Sequence, residues 1–182
     1  MDEPSDEDLM RRIAQGDERA FHLLAPRYIA RALGLARRVT GNDADAEEIV
    51  QEALLRVWIN APRWRPTAAF RTWFYRVVLN LCLNRVRRAP FLVLKHAGDP
   101  ADPSPDPGAR MELDEVDRQV ASAIADLPER QRAAIVLTYH EGLSNAEAAN
   151  VLGVSVSGIE ALLVRAKRSL REKLGSRLGR NP

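Results

Sequence analysis

The 182 residues suffice for one domain or two small ones, and 46% hydrophobic against 29% charged residues describes a chain that packs a core and stays solvated. No apolar run approaches the roughly 18 residues of a membrane span, and no apolar signal-peptide core follows the acidic stretch at residues 1–8; no membrane insertion and a cytoplasmic location are expected. The lone Cys82 forms neither an internal disulfide nor a zinc cluster and reads as a small core residue, and His22, His96 and His140 fall in no metal-ligand spacing, so no metal or other cofactor is expected.

Strand signals are weak and the pattern is helical. Ser5 is placed to cap a first helix that ends near Gly16. Asp17 caps a second, which Pro26 kinks or restarts and which stops at Gly41-Asn42. A third begins at Asp43 or Asp45, with Glu47 and Glu48 near its positive end, and Pro62 ends it. A fourth spans about 68–88 and ends before Pro90. Residues 91–111 are rich in Pro and Asp and read as an extended, solvated linker. Helical periodicity resumes over about 112–126, then from Pro128 to about His140, at about 145–152 and at about 156–174. The expected fold class is all-α: two small helical domains, residues 1–90 and 112–182, joined by a flexible Pro/Asp-rich linker, residues 91–111.

The clearest local constellation runs from Leu143 to Ile159. Ser144 and Glu147 form a capping box, Ala149 is small enough for a close helix crossing, Gly153 supplies the turn, and Ser155 caps the next helix. Ile159 and Leu162 face back to a core. This is a helix-turn-helix, which presents the N-terminal end of its second helix to the major groove of duplex DNA.

Net charge is only +2, but the charge is segregated. Twelve acidic side chains lie in residues 1–52 and none in 53–98, where Arg56, Arg63, Arg65, Arg71, Arg76, Arg85, Arg87, Arg88 and Lys95 stand alone. A second basic run, Arg165 to Arg180, closes the chain against Glu172 alone. Two basic patches fit two contacts with one long polyanion; two solvated helix faces give the same charge pattern. Six of the ten aromatic residues (Trp58, Trp64, Phe70, Trp73, Phe74 and Tyr75) overlap the acid-free stretch. Some must be core, with Phe74, Val77, Val78 and Leu81 fitting a buried stripe, but the set beside Arg63, Arg65, Arg71 and Arg76 has the composition of a surface that stacks unpaired bases. Asn80 and Asn84, one turn apart, share a face with Arg76, Arg87 and Arg88 and suit base edges and phosphates. The third helix is acidic and amphipathic, so it is expected to meet a protein rather than DNA.

These motifs resemble those of the extracytoplasmic-function (ECF) sigma factors, small alternative initiation factors of bacterial RNA polymerase. The matching segments are Asp45-Ala46-Glu47-Glu48-Ile49-Val50-Gln51-Glu52, then residues 70–80 and 84–88, then Leu127-Pro128-Glu129-Arg130-Gln131-Arg132, and Arg165-Ala166-Lys167-Arg168. The resemblance implies that Asp45, Glu48, Ile49, Gln51, Glu52 and Leu55 bind the polymerase core. It implies that Arg63, Arg65, Arg71, Trp73, Arg76, Asn80, Asn84, Arg85, Arg87 and Arg88 recognise and melt the minus-ten promoter element without ATP, capturing the opened strand. It further implies that the helix-turn-helix reads the minus-thirty-five element through Ser155, Ser157, Gly158, Glu160, Ala161, Arg165, Lys167 and Arg168, and that an anti-sigma factor regulates the chain. At Glu160-Ala161-Leu162 the chain departs from the basic or polar residues of many relatives, so base readout by this helix is atypical. A stand-alone helix-turn-helix regulator would need neither the acidic helix nor the aromatic-basic stretch. A magnesium nuclease built on Asp43, Asp45, Glu48 and Glu52 would need more than an acidic helix face. No enzyme activity is expected.

Overall fold

The computed structural model describes residues 3–66, 69–93 and 119–178. Helix α1 (Asp6–Ile13) starts where the Ser5 hydroxyl accepts the Asp8 amide, with Asp6, Glu7 and Asp8 at its positive end and Arg11 and Arg12 at its negative end. Leu9, Met10 and Ile13 are its buried face. Helix α2 (Glu18–Thr40) is capped by Asp17 and ends at Gly41, which adopts φ 72°. It runs unbroken through Pro26, where the sequence suggested a kink or restart. The proline removes one backbone donor, and the burial of Leu24, Ala25 and Tyr28 around it holds the helix together. Arg27 and Tyr28 tie α2 to α1: Arg27 donates to the Pro4 carbonyl at 3.0 Å and to Asp6 at 2.7 Å, and the Tyr28 hydroxyl donates to the other Asp6 oxygen.

Helix α3 (Asp43–Asn60) is capped by Asn42 and passes into a single 3₁₀ turn, Ala61–Arg63, opened by Pro62. Helix α4 (Phe70–Val93) has its N-terminus capped from a distance, since the Phe70 amide donates to the Glu7 carboxylate of α1 at 3.1 Å. Its backbone continues past Pro90, which the sequence placed beyond the end. A proline in the last turn forfeits one hydrogen bond, where a mid-helix proline would also break the packing on both sides. Residues 94–118, which take in most of the expected linker and the start of the helical stretch expected from 112, lie outside the described residues.

The second body holds α5 (residues 119–125), α6 (Glu129–Ile135), α7 (Asn145–Leu152) and α8 (Val156–Leu178). Helix α6 widens into a π-turn, Val136–His140, closed by the Glu141 amide donating to the Val136 carbonyl at 3.0 Å. Both halves of the Ser144–Glu147 capping box are present. Gly153 adopts φ 68° and ψ 40°, the Gly158 amide donates to the Ser155 hydroxyl at 3.1 Å, and α7 and α8 meet at 97°. No single helix among the described residues is long and apolar enough to cross a membrane.

The two bodies are packed together. Buried side chains from both, among them Leu9, Leu35, Phe74, Leu79, Leu137 and Ile159, form one continuous apolar cluster. Arg132 of α6 reaches across to donate to the Val39 carbonyl of α2 at 2.7 Å. A Cβ built on Gly153 meets nothing within 4 Å, so only its left-handed backbone opposes substitution. Gly153→Ala is therefore expected to lose about 1 kcal/mol, and Gly153→Asn about half of that. Urea denaturation of both variants checks this; a loss of several kcal/mol would point to steric crowding instead.

Candidate nucleic-acid interface

Helix α4 positions most of the expected strand-contacting groups. Arg76, Asn80, Asn84, Arg87 and Arg88 are exposed and follow one another at about one turn. Arg63 and Arg65 are exposed beside the N-terminal end of α4, with Arg65 donating to the Trp64 carbonyl at 3.2 Å. The aromatic set divides differently from the sequence reading. Phe70, Phe74 and Tyr75 are fully buried, with Phe70 and Phe74 stacked at 5.7 Å and Tyr28 edge-on to both. Trp58, Trp64 and Trp73 are half-buried against the same core. Core packing thus absorbs half the set, and only the tryptophan edges reach a surface.

Four expected site residues are covered or already engaged within the chain. Ile49 is 2% exposed and belongs to the core, because the apolar face of α3 turns it toward Val50 and Ala53 rather than outward. Arg85 bridges Asp45 at 2.8 Å and Glu48 at 2.5 Å on α3, so its guanidinium already holds two carboxylates. The Glu48 hydrogen bond raises the Arg85 pKa, and partial burial opposes it. Arg71 and Arg76 lie against the second body. Arg71 donates to the Glu141 carbonyl at 2.6 Å, and Arg76 Nε donates to the Asn150 carbonyl at 3.0 Å. Between them, the Tyr75 hydroxyl donates to the Glu141 carboxylate at 2.8 Å. Burial, and then that hydrogen bond, push the Tyr75 phenol up to about 12.

On α3, Glu48, Gln51, Glu52 and Leu55 are exposed and share a face. The face extends one turn further to Ile59, which is 61% exposed, against 56% for Leu55. The sequence reading stopped at Leu55; the i, i+4 spacing was the available signal. On α8, Ser155, Ser157 and Glu160 are exposed at the N-terminal end, Gly158 and Ala161 are half-exposed, and Ile159 is fully buried. Arg165, Lys167 and Arg168 follow on the exposed side. Lys167 stands 5.2 Å over the Tyr139 ring, and Arg168 pairs with Glu172 at 2.9 Å. Such an array offers hydroxyls and an unpaired carboxylate at the helix start and cations behind it, the chemistry of base edges flanked by phosphates.

The comparisons with known proteins agree with this layout. Residues 24–90 match the Sigma-70 region 2 family and residues 117–170 match Sigma-70, region 4. The ECF RNA polymerase sigma factor SigM of Mycobacterium tuberculosis is 33% identical, over 95% of this chain and 86% of its own. The RNA polymerase sigma factor CnrH of Cupriavidus metallidurans is 34% identical over 92% and 93%. The solved structure of CnrH in complex with the cytosolic domain of CnrY superposes with a TM-score of 0.69 at 32% identity, covering 95% of this chain and 99% of that one. A region 2 body with a basic seam, tied to a region 4 helix-turn-helix, defines a transcription initiation factor of the sigma-70 class. Within that class, the chain belongs to the ECF sigma factors.

Arg85 links the acidic helix to the basic one, so Arg85→Ala is expected to lose about 1 kcal/mol of stability, an effect that shrinks in molar salt. Parallel urea titrations at low and high sodium chloride measure it. A loss that does not change with salt would place Arg85's contribution in packing.

Proposed function

We propose that this ECF sigma factor docks on core RNA polymerase through the exposed face of α3, captures the opened minus-ten strand along the seam of α4, and reads minus-thirty-five duplex with α7 and α8. The observation that carries this reading is the division of labour within the first body. An acidic and apolar strip (Glu48, Gln51, Glu52, Leu55, Ile59) occupies α3, and a strip of guanidinium and amide donors occupies α4. The first repels a polyanion and fits an amphipathic protein helix; the second fits phosphates and unpaired bases. Arg88 is the better phosphate contact, since Arg85 is already paired and Arg87 stands 3.8 Å from Glu129. Of the aromatic groups, the half-exposed Trp73 and Trp64 remain for base stacking. A cytoplasmic location follows from this role. CnrH, solved with the cytosolic domain of CnrY, supports regulation of this chain by an anti-sigma protein as well.

Immobilised core polymerase should retain the wild-type chain, and the reconstituted complex should start transcripts at defined sites. Leu55→Glu combined with Ile59→Glu is expected to weaken retention by roughly tenfold or more while leaving the melting temperature in place, because both side chains already face solvent. Undiminished retention would remove this face from the polymerase contact. Arg165→Glu is expected to weaken duplex binding and to lower the slope of log affinity against log salt by about one. An unchanged slope would take Arg165 out of the DNA interface.

A further inference from the structure

The outer face of α8 is unusual for a helix that enters a DNA groove, because its leading turns carry no cation. Ile159, Leu163 and Ala166 turn into the core. Helical spacing then places Ser157, Ala161 and Val164 on the opposite side, with Glu160 beside them. Val164 is 68% exposed, more than any other large apolar side chain among the described residues. Arg165, Lys167 and Arg168 come only after the first two turns. No side chain from Val156 to Leu163 carries an N–H that could donate to a base edge.

The Glu160 carboxylate has no task within the chain. Ser155 caps the helix: its hydroxyl accepts the Gly158 amide at 3.1 Å and lies 3.0 Å from the Ser157 hydroxyl, so no capping role falls to Glu160. One turn away on α8 stand Val156, Ser157, Leu163 and Val164, none of them a cation. Among the described residues Glu160 forms no hydrogen bond or ion pair. Phosphates repel a carboxylate of this kind, so it fits a groove only where a base offers it a donor. Cytosine does so through its N4 amino group with no acceptor on the same base edge. Adenine sets the N7 acceptor beside its amino group, and guanine shows two acceptors. The methyl groups of Ala161 and Val164 match the apolar group of the major groove, the C5-methyl of thymine.

We infer that α8 reads pyrimidine edges: Glu160 accepts from the N4 amino group of a cytosine, and Val164 with Ala161 packs on the C5-methyl of a thymine. This rests on the reading of the helix-turn-helix as the duplex reader and names the bases it selects. Glu160 and Val164 are separated by a rise of about 6 Å, and successive bases by about 3.4 Å, so the thymine lies about two steps from the cytosine. Arg165 and Lys167, behind the reading face, meet phosphates whatever the sequence. Affinity and selectivity are thus carried by different turns of one helix.

The test assembles the full chain on core polymerase and selects duplexes from a pool randomised across the upstream element, with polymerase alone as background. The wild-type complex is expected to enrich a cytosine–guanine pair and a thymine–adenine pair about two steps apart. Glu160→Gln, which sets a donor beside the acceptor, is expected to shift the preference at the first of these from cytosine to adenine by about tenfold and to leave the other positions unchanged. Replacing the thymine by deoxyuridine removes only a methyl group. It is expected to weaken the wild-type complex about threefold and the Val164→Ala complex hardly at all. Glu160 and Val164 face solvent, so both variants are expected to keep the wild-type melting temperature. A Glu160→Gln preference that stays on cytosine, or a deoxyuridine loss as large in Val164→Ala as in the wild type, overturns the inference, as does an enriched element without the cytosine–guanine pair. The underlying reading fails differently: no enriched upstream element, together with undiminished retention of duplex by Arg165→Glu, would take the helix-turn-helix off the duplex altogether.

Discussion

Between Phe70 and Leu83, α4 buries Phe70, Thr72, Phe74, Tyr75, Val78, Leu79, Leu81, Cys82 and Leu83. A helix that shows one face to a core buries every third or fourth residue. Helix α4 instead buries pairs and triplets in succession, because α2 and α3 pack against it from one body and α6 and α7 from the other. What remains for solvent is a narrow polar seam at one-turn spacing. The exposed polar surface of the first body is set by this constraint. The seam is where polar groups are permitted, α3 is held outside it by the Arg85 bridge, and α1 caps its N-terminus through Glu7.

Local features were legible in the sequence because the residues that decide them are neighbours. Ser5, Asp17 and the Ser144–Glu147 box cap the helices they were expected to cap, and the Ala149, Gly153 and Ile159 spacing produces the steep crossing of a helix-turn-helix. What the sequence did not show turns on packing and on partners far along the chain. Pro26 looks like a break until the surrounding burial of Leu24, Ala25 and Tyr28 is counted. Arg85 reads as a phosphate contact until Asp45 and Glu48, some forty residues earlier, are placed beside it. Arg71 and Arg76 meet acceptors 70 and 74 residues later, which periodicity cannot show.

The aromatic excess around residues 58–75 carried two meanings, and burial separates them. Phe70, Phe74 and Tyr28 form a mutually edge-on and stacked cluster at the centre of the first body. Their job is to let a small bundle exclude water with few residues. Tyr75 has both characters. Its ring is buried, and its hydroxyl reaches the boundary between bodies, where it finds Glu141. A phenylalanine there would fill the same space and leave the Glu141 carboxylate without that partner.

The absence of acid from residues 53–98 has a structural consequence beyond net charge. The guanidinium groups of α4 have no carboxylate on their own helix, so any carboxylate partner must come from another element. Arg85 takes Asp45 and Glu48 from α3, Arg71 and Arg76 take Glu141 and Asn150, and Arg87 stands 3.8 Å from Glu129. Had acids been interleaved along α4, i, i+4 pairs would satisfy these arginines locally and leave nothing for a partner to compete over. Segregated charge makes the helix dependent on acceptors brought to it.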